Sequence, residues 1–328
     1  MSVAGILISG PAAAQTAIRF SLDFKIAGPS APFFVALDKG YFKAEGLDVT
    51  IEPAAGALES IARIATGSFD MGLGDINALI KFRDANLSSA PKAVFVLYNK
   101  PAYAIVARRS RGVQTPKDLE GKVLGAPAAD AAYAQWKIFT QANGIDASKV
   151  RVETIGSPVR EPMLQSGQVD AVIGDSFTSF IDLKSMDVPV NDLVVLLMSD
   201  YGVDLYGNTI MVSHKLAAEK PGAVKGFLRA FLKGLRDTVK DPSAAIGAVA
   251  AHSDPARKPI ELERLRMALK DNVLTPEVKA NGYGAVDLDR LGRAIEQISQ
   301  TYDFKNKPKA ADVFDASFLP PEAERKAR

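Results

Sequence analysis

The chain has 328 residues, 47% of them apolar and 24% charged, with 40 basic against 38 acidic side chains and a net charge of +2. That balance describes a globular protein large enough for two domains or lobes, and it gives no reason to expect nucleic acid or an anionic membrane as partner. The absence of cysteine excludes disulfides, a thiolate nucleophile and cysteine-ligated metal, and is silent on the compartment.

At the front, Val3–Ile8 is apolar and Ala12-Ala13-Ala14 precedes Gln15. This pattern reads as the end of a secretory signal peptide over residues 1–14, shortened because its basic start is missing and the first basic residue is Arg19. Export follows as an expectation. No apolar run reaches the roughly 18 residues needed to cross a bilayer.

Ile18–Ile26 reads as a strand. The loop Ala27–Pro32 opens a helix over Phe33–Lys43, and Leu47–Glu52 alternates as a second strand. Gly56 and Ala57 introduce a helix whose Leu58, Ile61, Ala62 and Ala65 share one face. Its end belongs to a segment that recurs 100 residues later. Residues 64–75 and 164–175 share Gly67/Gly167, Asp70/Asp170, Gly74/Gly174 and Asp75/Asp175. Ile64/Leu164, Thr66/Ser166, Phe69/Val169 and Leu73/Ile173 are conservative pairs. Each copy reads as a helix end, a glycine stop, a short buried strand and an acidic corner.

Val94–Tyr98 and Tyr103–Ala107 are further strands, and the polar Arg108–Gly112 reads as a crossing into a second lobe. Thr115-Pro116-Lys117-Asp118 is a helix start, with a hydroxyl cap, proline at the first position and an acid in the first turn. Lys122–Ala126 is a strand. Asp130 caps a helix running to Asn143, which Gly144 stops. Val150–Ile155 is a strand, Ser157 caps the helix before the second copy, Val194–Met198 is a strand, and Asn208–Ser213 returns to the first lobe. Three stripes at helical spacing follow. They are Val224, Phe227, Leu228, Phe231, Leu232, Leu235 and Val239; then Leu262, Leu265, Leu269 and Val273; then Leu288, Leu291, Ile295, Ile298 and Tyr302. Strands alternating with helices predict an α/β fold with largely parallel sheets, where ligands bind beyond the carboxyl ends of the strands.

Those ends hold Asp23, Phe24, Ser30, Phe33, Gly56, Ala57, Asp75, Asn77, Ala128, Asp130, Asp175, Phe177, Tyr206 and Asn208, the expected ligand contacts. Asp75 and Asp175 have three readings: caps of the helices that follow, hydrogen-bond acceptors for a ligand, or a paired acid and base. Phe24, Phe33, Phe34, Trp136, Phe177, Tyr201 and Tyr206 default to core burial. Phe24, Phe177 and Tyr206 are the better stacking candidates, because they fall at strand ends or in glycine-containing turns. His214 and His252 lie far apart and form no metal pattern, so no metal or cofactor is expected. Gly121-Lys122 lacks the rest of a Walker loop. Gly72-Leu73-Gly74-Asp75-Ile76-Asn77 has asparagine where a dinucleotide loop needs its third glycine.

Asp38-Lys39-Gly40-Tyr41-Phe42-Lys43-Ala44-Glu45-Gly46-Leu47-Asp48-Val49 resembles a signature of bacterial solute-binding proteins, the group that takes up alkanesulfonates, taurine, nitrate and the pyrimidine precursor of thiamine. Ile64–Asp70, Pro116–Lys122 and Leu164–Val172 match in the same order, so the resemblance covers roughly residues 18 to 240. It implies a type II periplasmic-binding-protein fold, with residues 17–107 and 208–328 as one lobe, 108–207 as the other, two crossing strands and the ligand between them. It also implies a monomer without catalytic activity that delivers its ligand to the permease and ATPase of an ABC importer.

Leu22-Asp23-Phe24 resembles the Leu-Asp-Trp opening of the pyrimidine-precursor binders with phenylalanine in place of tryptophan, and Ile26-Ala27-Gly28-Pro29 then departs from them. The candidate loops hold Asp23, Asp75, Asp130 and Asp175 and no arginine or lysine. Their charge disfavours a small dianion and favours a flat neutral or cationic ligand with N–H donors. The alternatives are a sulfonate, taurine or nitrate binder of the same group, or an enzyme of the same fold acting on a pyrimidine precursor.

Overall fold

The computed structural model describes residues 15–128 and 130–327. The expected signal peptide lies outside them. Among the described residues ten strands make two five-stranded sheets: β1 (Thr16–Ser21), β2 (Leu47–Glu52), β3 (Met71–Asp75), β4 (Lys92–Val96), β5 (Tyr103–Arg108), β6 (Val123–Ala126), β7 (Arg151–Thr154), β8 (Ala171–Asp175), β9 (Leu193–Leu197) and β10 (Asn208–Val212). The orders are β2-β1-β3-β10-β4 and β7-β6-β8-β5-β9. In each sheet one strand opposes the rest, β10 in the first and β5 in the second.

The two sheets are copies of one plan. Arg19 and Val123 occupy matching places, and each exchanges hydrogen bonds with the repeated aspartate. Asp70 Oδ2 accepts from the Arg19 N–H at 2.8 Å and Asp170 Oδ2 from the Val123 N–H at 2.9 Å. Gly67 and Gly167 end the preceding helices Ala57–Ala65 and Arg160–Ser166 with φ of 76° and 80°, a conformation that favours glycine. The repeat is therefore structural: helix, left-handed glycine, aspartate lock on the neighbouring strand, short strand, acidic corner.

The chain crosses between sheets earlier than expected. β5 belongs to the second sheet, so the first crossing falls between Val96 and Tyr103 and not after Ala107. The return precedes β10. The first strand also ends early, at Ser21, because the chain bends over 23–26 and carries Asp23 beyond the sheet edge. Gly40, at φ 72°, divides the expected helix into Ala31–Asp38 and Tyr41–Ala44. Thr115 and Asp118 form the expected capping box, whereas Ser157 opens a short turn without capping it.

The C-terminal stripes bury as their spacing predicts except at Leu288, which is 48% exposed in the first turn of its helix. Val224, Phe227, Phe231 and Leu235 of the Pro221–Lys240 helix pack with Phe20 and Phe95 of the first sheet and with Phe33 and Phe34 of the Ala31–Asp38 helix. A second core joins Ile61, Ile76 and Leu79 to Leu124, Phe139, Trp136 and Ile173, and takes in Leu291, Ile295 and Ile298 of the Leu288–Ser299 helix. One apolar body therefore reaches both sheets. Arg290 of that helix braces the crossings. It donates to Asn99 O at 3.1 Å and Leu205 O at 3.0 Å, pairs with Glu277 and Asp204, and lies 4.0 Å from the Tyr206 ring centre.

Candidate functional site

The carboxyl ends of β1, β3, β6 and β8 deliver Asp23, Asp75, Asp130 and Asp175 to one region. Antiparallel pairing sets Asn208 opposite Asp75 in the first sheet and Tyr103 opposite Asp175 in the second. Asn208 Nδ2 donates to Asp23 Oδ2 at 2.6 Å. The Tyr103 hydroxyl donates to Asp75 Oδ2 and accepts from Asn77 Nδ2 at 3.0 Å. Asn77 also donates to the Tyr206 carbonyl at 2.7 Å, so one amide ties the first sheet's corner to the returning chain.

The matching corners differ in use. Asp75 is 3% exposed and caps the Ile76–Ala85 helix, accepting the Ala78 N–H at 2.8 Å. Asp175 stands at the start of the Ser176–Ser185 helix without capping it, is exposed, and accepts no hydrogen bond from the described residues. Capping therefore describes the first aspartate and not the second. The neighbouring Asn77 Oδ1 and Ser176 Oγ are buried without a partner.

Asp130 accepts the N–H groups of Ala132 at 2.8 Å and Tyr133 at 3.3 Å, and pairs with Arg160 at 3.2 Å. Arg160, absent from the expected set, is the main correction to the site's charge. It is 6% exposed and runs beneath Gly174, where a Cβ would stand 2.1 Å from its Nη1. It pairs with Glu161 at 2.7 Å and donates to the Ile173 carbonyl at 3.3 Å. Adjacent opposite charges at a helix start carry no signal that they will turn under a strand, so the sequence offered no way to find it.

Burial is the main cause of the raised pKa values here, because it removes water from the charged form. It lifts Asp23 to about 6, opposed by the Asn208 hydrogen bond and assisted by the charge of Asp75. It lifts Asp75 against the Tyr103 and Ala78 donors, and Asp130 against the Arg160 charge. Asp175 rises to about 7, first by desolvation, then by Asp130, with Arg160 opposing and Asp23 and Asp75 adding. Asp175 is solvent-exposed while protein surrounds it on the scale of the cleft; crowding sets the direction and water screens the size. Tyr98 and Tyr103 lie well above the usual phenol value through burial and the same acids.

The remaining expected residues divide. Phe24 is 47% exposed beside the Asp23 corner, with the Lys25 ammonium 5.6 Å from its ring centre. Gly56 and Ala57 are half-buried at the start of a helix that has no side-chain cap, and Ala128 is exposed. Phe177 is buried and meets Tyr98 edge-on at 6.2 Å. Ser30 is buried and closes its own turn, donating to the Ala27 carbonyl at 2.6 Å. Two residues turn away. Phe33 is fully buried, 4.8 Å from Phe20 and 4.4 Å from Phe231 between ring centres. Tyr206 is fully buried under Arg290 and donates to Glu277 at 2.8 Å. Core packing claims the first and the crossing brace the second. Two surface depressions, of about 330 and 390 Å³, lie away from the four carboxylates.

The family described as NMT1/THI5-like matches residues 29–245, two thirds of the chain. The chain belongs to the NMT1/THI5-like family. Among relatives, a formylaminopyrimidine-binding protein of Halalkalibacterium halodurans is 25% identical over 85% of this chain and 83% of its own length. The riboflavin-binding protein RibY of Chloroflexus aurantiacus is 30% identical over 66% of this chain, which spans 60% of that protein. A 4-amino-5-hydroxymethyl-2-methylpyrimidine phosphate synthase of Schizosaccharomyces pombe is 25% identical over 69% of this chain and 66% of its own. NMT1/THI5-like relatives thus include both binding proteins and synthases. Among solved structures, the periplasmic aliphatic sulphonate binding protein SsuA of Escherichia coli superposes with a TM-score of 0.73 at 14% identity, over 93% of this chain and 94% of that one. The fold of this NMT1/THI5-like chain is that of the periplasmic binding proteins. Among the described residues no helix is long and apolar enough to cross a membrane.

Proposed function

We propose that this protein is the solute-binding component of an ABC importer, exported to the periplasm, which encloses a small planar nitrogen-containing compound of the pyrimidine-precursor type between two lobes. The supporting observation is the junction of the repeated corners: Tyr103, paired with Asp175 in the second sheet, donates to Asp75 of the first. Acids from both sheets line the region, and the arginine beside them is already engaged by Glu161 and Asp130. An amino-substituted ring presents N–H donors that such carboxylates accept, whereas a sulfonate or nitrate would meet their negative charge.

Binding without turnover is favoured over synthesis because neither histidine, the side chain best suited to proton transfer near neutral pH, joins these corners. His252 bonds Asp38 at 2.8 Å beside Phe34, and His214 opens the exposed end of the His214–Glu219 helix. The test is thermal unfolding and calorimetry with aminopyrimidines, riboflavin, taurine, an alkanesulfonate and nitrate, with mass spectrometry of the recovered ligand. A pyrimidine at about 100 times its Kd should add about 2.7 kcal/mol of stability and return unchanged. A response to taurine, sulfonate or nitrate alone would replace this reading with the anion-binding one, and a chemically altered pyrimidine would replace it with the enzymatic one.

A further inference from the structure

Among the described residues, three of the four acids at the sheet edges have no ion-pair partner. Asp75 is held by Tyr103, Asn77 and the Ala78 N–H, and Asp23 by Asn208, all uncharged donors. The Asp175 carboxylate has no hydrogen-bond partner among the described residues. Only Asp130 meets a guanidinium, and Arg160 shares that charge with Glu161. Lys81 acts on Asp75 and Arg160 on Asp175 through space, but neither forms an ion pair with them, and Asp23 has no such neighbour. Charges this close raise one another's cost, so the group as a whole gains from a further positive charge.

A second observation is independent of charge. Asn77 is fully buried with its amide nitrogen on the Asp75–Tyr103 pair, and its Oδ1 accepts nothing. Ser176, the next residue after Asp175, is fully buried and its Oγ is equally without a partner. Such unmade hydrogen bonds are costly in a folded protein and mark groups that await one. No three His, Cys, Asp or Glu side chains among the described residues converge closely enough to hold a metal ion.

We infer that the ligand carries a positive charge, an ammonium or amidinium group on its planar body, which Asp175 of the second sheet and Asp23 of the first accept, with the buried Asp75 behind them adding its charge. This rests on the binding-protein reading and narrows it from pyrimidine-like compounds to cationic ones. A neutral ring would leave three buried or crowded carboxylates facing one another. A cation bridging them relieves that repulsion only when the lobes bring both sheets' acids onto it, so charge would select the ligand and favour closure together.

The experiment compares two ligands that differ at one group. Calorimetry with the full chain near neutral pH would use 4-amino-5-hydroxymethyl-2-methylpyrimidine and its aminomethyl counterpart, with benzamidine and putrescine as pyrimidine-free cations. The aminomethyl compound should bind at least about tenfold tighter, and the advantage should shrink as salt rises. Asp175→Asn, at an exposed position that the fold does not need, should cut the preference below about threefold, and Asp23→Asn should reduce it independently. Equal binding of the two pyrimidines, or tighter binding of the neutral one, overturns the charge assignment and leaves the pyrimidine reading standing. Binding of benzamidine or putrescine without either pyrimidine keeps the charge assignment and removes the pyrimidine reading. Silence towards all four cations and pyrimidines, or a response to sulfonates alone, overturns both.

Discussion

Tyr103 donates its phenolic proton to Asp75 while its own backbone pairs with Asp175, so one residue joins the acidic corners of the two sheets. Replacing it tests that junction directly. Tyr103→Phe leaves the buried Asp75 with one donor fewer and should cost about 1.5–3 kcal/mol in urea unfolding, the range for a hydrogen bond to a charged group. Unchanged stability would show that Asp75 does not depend on the phenol.

Asp23 and Asp175 impose a pH dependence whose sign follows from linkage. Their folded values, about 6 and about 7, lie above the model-peptide value of 3.8. The folded state therefore holds more protons than the unfolded state between about pH 4 and 7, and stability falls as pH rises through that window. The contribution is fully present below the unfolded value and is lost above the folded one. Carboxylates with lowered values, such as Asp237 and Glu45, act in the opposite direction, so the wild-type curve alone does not isolate it. Subtracting the Tm profile of wild type from that of Asp175→Asn should show the variant gaining relative stability from about pH 4 to 7. A difference that is flat across that range would contradict the raised value.

Gly174→Ala should disturb the site without touching a carboxylate. The added Cβ would stand 2.1 Å from Arg160 Nη1, and that guanidinium is fixed by Glu161, Asp130 and the Ile173 carbonyl. Displacing it should cost about 1–3 kcal/mol and weaken ligand binding, because Asp130 loses its partner. Wild-type stability and affinity together would mean that Arg160 has room to move.

A latch joins the second sheet's Ser176–Ser185 helix to the Lys258–Ala268 helix packed on the first. Arg264, 1% exposed, donates to Asp182 at 2.7 Å and lies 3.5 Å from Glu261, whose Oε2 accepts the Gly28 N–H at 2.7 Å. Asp182→Ala should cost about 1–3 kcal/mol and speed hydrogen exchange over residues 27–30, the loop beside Asp23. Exchange confined to the Ser176–Ser185 helix would show that the coupling stops at Arg264.

Arg290→Met should loosen the crossings. It removes the bonds to Asn99 and Leu205 and leaves Glu277 without its cation, at a cost of about 3 kcal/mol. Small-angle scattering of the unliganded variant should show a broader distribution of lobe separations than wild type. An identical profile would place the hinge stiffness elsewhere.

What could be read from the chain alone was local. Gly67 and Gly167 end helices because their left-handed conformation disfavours a side chain, Thr115 and Asp118 cap a turn, and Asp75 caps a helix, all through contacts within a few residues. The position of Asp130 and Asp175 at strand ends follows from the same short-range alternation of strand and loop, whereas Asp23 fell inside the expected Ile18–Ile26 strand and only the bend after Ser21 places it beyond the sheet. The tertiary structure alone decided which side chains met. Phe33 and Tyr206 share the composition of surface candidates, yet the first fell into the Phe20–Phe231 cluster and the second beneath Arg290. The Tyr103–Asp75 bond spans 28 residues, the Arg160–Asp130 pair 30 and the Arg290–Asn99 bonds 191. Sequence periodicity reports the face a residue presents and not the partner it finds, because that partner is set by how two sheets of one repeated plan are crossed and packed together.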